Sequence, residues 1–336
     1  MSSEKVSSKS VARESVLNHL NQCYSLNSPQ VFVLIEGGTS SAVWKFKNGS
    51  SQWMIKVFGL EEGPLDRIRD EANLFRYLND RGIHTPVLLP GKDNSDVSLL
   101  NYHGMEFAVF VMRFENLRMA SPSTVTQQEL QVISRDIARM HLVLESYPGL
   151  KAMPDVSPWE EKETANRAID LVLSSSSVRQ FNPPQLKDFD EVDNKMQSYL
   201  NSHAEPAPLT RSLIHSDLSL EHAQFLPDDN VYFFDFSDRK SGTVIEEIAT
   251  FLACLYQWED ISFNRWEELK SWVLEGYQSV FPLTKDDLLA LNRFIIIRLL
   301  GANNYLAQLA KDEENVHVDN WIRRGYQLGD YLLKNN

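Results

Sequence analysis

Two short polar signatures stand out in the chain, each at the end of an apolar run. Leu213-Ile214 leads into His215-Ser216-Asp217, and His222, a potential metal ligand, follows five residues after the aspartate. Val231-Tyr232-Phe233-Phe234 leads into Asp235-Phe236-Ser237-Asp238. Phosphoryl transfer asks little of a protein: a carboxylate beside the attacking hydroxyl, and ligands that hold a divalent cation against the phosphates. Two strands that each deliver one aspartate to a common cleft meet that need. Either aspartate alone reads as a loop cap or a surface acid, but two spaced motifs, each behind an apolar run, do not. Other chemistries lack their parts. There is no Gly-x-Ser-x-Gly elbow for a serine hydrolase, no His-Glu-x-x-His or Cys/His cluster for zinc, and no Walker A loop.

These motifs resemble those of the aminoglycoside phosphotransferase and choline kinase-like superfamily, the small-molecule branch of the protein-kinase-like fold. That family carries His-x-Asp-x-x-x-x-Asn and then Asp-Phe-x-Asp or a close variant. The resemblance makes Asp217 the catalytic base or hydroxyl-orienting group and Asp235 the main Mg²⁺ ligand. His222 stands at the family's Asn position, a departure, since imidazole is a less usual partner for hard Mg²⁺ than an amide oxygen. We assign it to the metal as a helper.

A kinase-like fold also requires a strand lysine that meets the phosphates and a helix glutamate that orients it. Lys56 lies in the otherwise apolar Met54-Ile55-Lys56-Val57. Glu71 shares a helical face with Leu74, Phe75 and Leu78, which must point inward, whereas Asp70 falls on a more polar face. Glu71 is therefore the expected partner of Lys56. Upstream, Gly37, Gly38, Thr39 and Ser40 form a turn able to give amide and hydroxyl donors to phosphate, without the protein-kinase Gly-x-Gly-x-x-Gly pattern. By position, the backbone at Arg113 and Glu115 is the hinge that bonds the nucleobase of ATP or GTP.

No Ala-Pro-Glu peptide-docking segment follows Asp238; Glu247-Ile248-Ala249 instead fits the family's acidic-apolar-Ala helix. The acceptor is thus expected to be a small molecule with a hydroxyl group. Asp238, Trp258, Glu259 and Asp260, with Trp266, Trp272 and Tyr277 nearby, suit a cationic acceptor such as an amino sugar, aminoglycoside, amino alcohol or hydroxy amino acid. Aromatics at helical spacing are also the ordinary makings of a core. Arg293, Arg298, Asn303 and Asn304 would serve an anionic acceptor equally well. Two other functions fit the motifs: a protein Ser/Thr kinase of the bacterial type with this small-molecule-like fold, and a pseudokinase-like binding module, suggested by His222 and the missing glycines.

The elements that must position these residues fall into two groups. A helix over 11–25 precedes strands at 31–35, 42–46 and 53–58, separated by Gly/Ser turns as in an antiparallel meander. A helix over 64–81 and strands at 97–102 and 106–112 follow. Beyond the linker 115–123 the periodicity is helical at 126–147, 158–176, 185–203, 243–258, 264–280, 285–311 and 319–334. Two short strands within 213–235 interrupt it. The expectation is an α+β, protein-kinase-like two-lobe fold: a flexible tail over 1–10, a small antiparallel-sheet N-lobe over 11–114 and a larger, mainly helical C-lobe over 115–336, with a ligand cleft between the lobes.

Composition narrows the partners. The 336 residues carry 33 Lys+Arg and 46 Asp+Glu, a net charge of −13 that disfavours nucleic acid and favours a cationic acceptor. Seventeen Phe, 11 Tyr and 7 Trp make a core and argue against disorder. No apolar segment reaches the roughly 20 residues of a membrane span, and the N-terminus has no apolar signal region. Cys23 and Cys254 are expected to be reduced, in a cytoplasmic protein without membrane partners.

Overall fold

In the computed structural model, residues 8–26, 30–35, 41–60, 64–153, 183–203, 208–312 and 316–335 are described. The chain divides into two units. One comprises Met1–Arg118 together with Phe225–Ser237; the other comprises Met119–Gln224 and Asp238–Asn336.

The first unit is built on an antiparallel sheet. Strands β1 (Gln30–Ile35), β2 (Ser41–Asn48) and β3 (Ser51–Gly59) form the expected meander, and β6 (Met105–Arg113) lies beside β3. The short β4 (Leu88–Leu89) and β5 (Ser98–Tyr102) both pair with β6. Alternation along β3 decides which side chain faces which way. Ile55 and Val57 are fully buried in a core with Phe46 and Val109 and with Val16, Leu20 and Tyr24 of helix α1 (Arg13–Cys23). Lys56, between them, points to the other face. There it stands opposite Phe110 of β6, whose ring meets Phe75 of helix α2 (Leu65–Asn79) edge-on at 6.1 Å. The sheet therefore delivers Lys56 to the side where α2 carries Glu71.

The sequence placed the whole stretch after 114 in the helical lobe. In the structure the first unit extends to Arg118, and Phe225–Ser237 returns to it. Strands β8 (Ala223–Phe225) and β9 (Val231–Phe233) form a hairpin there. Arg118 and Phe225 exchange two backbone hydrogen bonds of 2.9 Å, and the Phe233 N–H donates to His84 O at 2.9 Å. Phe236 then packs edge-on against Phe75 at 6.0 Å. The stretch carrying Asp235 is thus tied to the unit carrying Lys56. A second difference lies at the N-terminus. Residues 8–10 of the expected tail form a 3₁₀ turn with Ser8 buried, because Val11 beside it belongs to the core.

The second unit is mainly helical. Helix α3 (Gln127–Leu144) opens with a capping box between Thr126 and Glu129. Helices α4 (Pro183–Asn201), α5 (Val244–Gln257), α6 (Phe263–Gln278), α7 (Lys285–Asp312) and α8 (Val316–Lys334) match the periodic segments; the helix expected at 158–176 lies outside the described residues. Every residue of α5 is buried, which makes it the central helix. Strand β7 (Arg211–Ile214) pairs with β10 (Lys240–Thr243), so the chain entering His215 is held beside the chain entering α5. Among the described residues, no helix is long and apolar enough to cross a membrane.

Candidate active site

In the first unit, Lys56 Nζ donates to Asp235 Oδ1 at 2.8 Å. The lysine is nearly buried, with its ammonium also 4.9 Å from the centre of the Phe58 ring, while the Asp235 side chain keeps 39% of its surface. Asp235 follows β9 with φ 62°, a left-handed conformation that aspartate tolerates better than most residues. Glu71 is buried on the inward face of α2 with Leu74, Phe75 and Leu78, as its spacing predicts. At the end of β6 the hinge is partly committed. The Arg113 N–H donates to Val87 O at 2.9 Å and the Phe114 N–H to Gln52 O at 3.0 Å, so of the expected hinge backbone the Arg113 N–H is engaged within the first unit. The Arg113 side chain pairs with Glu115 at 3.2 Å. Beside the hinge lies a hollow lined by Lys45, Gln52, Trp53, Phe114 and Glu115. Gly37, Gly38, Thr39 and Ser40 lie outside the described residues.

The second unit holds Asp217. Its Oδ1 accepts from Arg298 Nη2 of α7 at 2.7 Å, and its Oδ2 lies 3.9 Å from His222 Nδ1, beyond hydrogen-bond reach. His222 Nδ1 makes a 2.6 Å hydrogen bond with the backbone oxygen of Asp217. A carbonyl can only accept, so Nδ1 carries the proton and the lone pair of a neutral ring falls on Nε2. The His215 and His222 rings stack at 5.4 Å. Ser216, just before Asp217, has φ 72°. Serine rarely adopts this left-handed conformation, which persists only where the surroundings impose it. Glu247 of α5 imposes it: its fully buried carboxylate accepts the Ser216 N–H at 3.1 Å and also the His215 N–H. Behind Glu247 lies His141 Nε2 at 3.8 Å, and His141 Nδ1 meets the Tyr277 hydroxyl at 2.7 Å. Burial and the nearby Glu247 push the Tyr277 phenol far up, so it stays protonated.

Of the two acids expected to meet a cationic acceptor, Glu259 is engaged within the second unit, while Asp260 is paired but keeps 91% of its side-chain surface exposed. Glu259 accepts from the Ser121 hydroxyl at 2.6 and 2.8 Å and from the Ser123 N–H at 2.7 Å. Asp260 pairs with the buried guanidinium of Arg324 at 2.5 Å. Trp258 stands edge-on to Trp321 at 4.3 Å, and Asp238 is exposed.

A divalent cation fits the carboxylate present in the first unit, where Asp235 offers a partly exposed, hard oxygen. Among the described residues, no group of three or more His, Cys, Asp or Glu forms a ready-made metal cage.

A profile of the "Phosphotransferase enzyme family" (APH) matches residues 31–271, well over half of the chain and across every motif above. The chain belongs to this family. A homoserine kinase of Rhizobium rhizogenes is 25% identical to it over 226 residues, 65% of this chain and 62% of that protein. A homoserine kinase of Rhizobium etli matches equally, again at 25% identity and 62% of its length. The chain thus spans somewhat under two thirds of the length of the curated relatives it matches. The fold is shared with the structure of a microcompartment-associated aminopropanol kinase (TM-score 0.72, 16% identity, covering 96% of this chain and 98% of that one).

Two residues that bond the His215–Asp217 stretch, Glu247 and Arg298, were not singled out by the sequence for that role. Glu247 registered only as part of a helix signature, although a buried carboxylate in an apolar helix signals a structural partner. Arg298 registered as a possible acceptor ligand. Its position amid Phe294-Ile295-Ile296-Ile297 and Leu299-Leu300 was the signal that it pairs inside the protein.

Proposed function

We propose that the protein is a small-molecule kinase that transfers the γ-phosphoryl group of ATP, with Mg²⁺, to a hydroxyl of a small amino-bearing acceptor. The observation that carries this reading is the 2.8 Å pair between Lys56 and Asp235. The kinase resemblance implies these two residues, 179 positions apart in the chain, as phosphate ligand and metal ligand, and a direct contact between them supports that reading.

Lys56, steadied by Glu71, meets the nucleotide phosphates. Asp235, with His222 as helper, would hold the cation, which when bound would supply charge neutralisation for the transfer. With the Arg113 N–H committed, the nucleobase contact falls to the Glu115 backbone and the Arg113 carbonyl, donors and acceptors that serve ATP or GTP. The loop at Gly37, Gly38, Thr39 and Ser40 would add phosphate donors. Asp217 orients the acceptor hydroxyl. As the acceptor oxygen bonds to γ-phosphorus and the bond to the β–γ bridging oxygen breaks, the hydroxyl proton passes to Asp217 Oδ2. The products are a phosphate monoester and ADP, and the proton is then released to water.

The named relatives support the acceptor class: homoserine and aminopropanol each carry an amino group near an alcohol. Glu259 is engaged within the protein, whereas Asp260 keeps most of its side-chain surface exposed, so Asp260, Trp258 and Trp321 are the candidates to face the acceptor. A peptide acceptor fits less well, because α5 begins directly after β10 and leaves no docking segment. The test is a melting-temperature screen of nucleotides with Mg²⁺, followed by ADP release against homoserine, amino alcohols, choline, amino sugars, aminoglycosides and a generic protein substrate. ATP or GTP raising the melting temperature, and one small alcohol driving ADP release, is the expected result. No nucleotide response, or transfer to the protein substrate alone, overturns the reading.

A further inference from the structure

The catalytic loop His215–His222 contains Asp217 and Glu221 but no Lys or Arg. An aspartate that orients an alcohol toward a phosphoryl group faces a charge problem, because carboxylate and phosphoryl oxygens are all negative. A cation beside the aspartate offsets that repulsion. We infer that Arg298, from helix α7, supplies this cation and acts as the positioning residue for Asp217. This inference rests on the kinase reading above.

Three observations carry it. Arg298 Nη2 donates to Asp217 Oδ1 at 2.7 Å, which fixes one carboxylate oxygen and leaves Oδ2 for the acceptor hydroxyl. The guanidinium comes from a stretch of α7 whose neighbours Ile295, Ile296, Ile297, Leu299 and Leu300 are buried, and its Nε is enclosed, with no hydrogen-bond partner among the described residues. Stability does not explain such an arginine. The pair keeps 27% (Arg298) and 40% (Asp217) of its side-chain surface in water, where an ion pair adds little to stability, so a charge kept in an apolar helix points to a role for the charge. Finally, the donation is monodentate. Nε–H and Nη2–H form one edge of the guanidinium, and only Nη2 meets the carboxylate. Asp217 is thus held by one oxygen and can pivot about it as the hydroxyl proton arrives on Oδ2. Burial opposes the Arg298 charge, but Cys254 and Asp217 beside it raise its pKa further, so it is cationic at every working pH.

The experiment is a double-mutant cycle on ATP turnover with Arg298→Met, Arg298→Lys, Asp217→Asn and the double variant Arg298→Met/Asp217→Asn. ADP release is measured with and without the acceptor panel, alongside nucleotide affinity and melting temperature. Arg298→Met should lower kcat about 10–100-fold and leave nucleotide affinity within about 2-fold. Its melting temperature should not fall, because Asp217 keeps 40% of its side-chain surface in water and does not become an unpaired buried charge. Arg298→Lys should recover part of kcat, since it restores the charge but not the planar fork. In the Asp217→Asn background, Arg298→Met should change kcat by no more than about 3-fold, because a residue acting through Asp217 has nothing left to position. Additive losses, an unchanged kcat in Arg298→Met, or a loss of kcat explained by a collapsed melting temperature overturns the inference while the kinase reading stands. A wild-type protein that neither binds nucleotide nor consumes ATP overturns both.

Discussion

Substituting Glu247 by Gln changes one atom in a side chain that is fully buried and remote from solvent. The carboxylate accepts two backbone donors, the His215 N–H and the Ser216 N–H at 3.1 Å. Hydrogen bonds to a charged acceptor contribute about 1.5–3 kcal/mol each. A glutamine keeps one oxygen for one amide but turns an NH₂ group toward the other, so one charged bond is lost and a buried donor is left facing a donor. The cost is about 2–4 kcal/mol, or a fall in melting temperature on the order of 5 °C or more. The consequence for activity comes through Ser216. Its left-handed φ of 72° is held by this bond, and relaxation of Ser216 rotates the backbone that aims Asp217. Turnover should fall about 10–100-fold. Nucleotide affinity should not change, because Lys56 and Asp235 belong to the other unit. The assay pairs kcat from ADP release with nucleotide Kd from calorimetry and a thermal melt. Glu247→Gln with wild-type melting and kcat within about 2-fold would refute the claim that this carboxylate sets the catalytic loop.

Further outcomes follow from the same geometry. Lys56→Met should weaken nucleotide binding and lower kcat/KM for ATP about 10²-fold or more, while melting in the absence of nucleotide stays near wild type, because Asp235 retains solvent access; titration of ATP by calorimetry and kinetics checks both. Asp287 accepts from the Thr284 and Thr210 hydroxyls and N–H groups at 2.8–3.1 Å; burial opposes its charge, yet these bonds hold its carboxyl below the usual aspartate range. Its contribution to stability is therefore complete above the ordinary aspartate value and lost as pH falls through the lowered one. Asp287→Asn should melt earlier at pH 7, and the gap to wild type should close in acid; a gap independent of pH contradicts the assignment.

How legible the molecule was in its sequence depended on how local each signal is. Lys56 could be read because a lone cation in an apolar strand must face something, and the strand's period of two says which side. Asp217 and Asp235 could be read because each ends an apolar run. Strands β4, β8 and β10 are two to four residues long, too short for any periodicity to register. The return of Phe225–Ser237 to the first unit rests on backbone bonds between residues more than 100 positions apart, which no local pattern encodes. The acids at 259 and 260 show a related limit of the sequence. An acidic residue type does not say whether it is already paired, and their partners Ser121 and Arg324 lie 138 and 64 residues away. Arg298 and Glu247 are the converse case: charges inside apolar helices promise a partner without naming it.

The account stands most directly on phosphoryl transfer itself. Wild-type protein is incubated with Mg²⁺ and γ-labelled ATP in the presence of homoserine, aminopropanol and an aminoglycoside, and the products are followed by ³¹P NMR and mass spectrometry. The account predicts a phosphate monoester on an alcohol of one of these acceptors, formed together with ADP and lost in Asp217→Asn. ATP left intact with every acceptor, or a phosphoester formed equally well by Asp217→Asn, would contradict it.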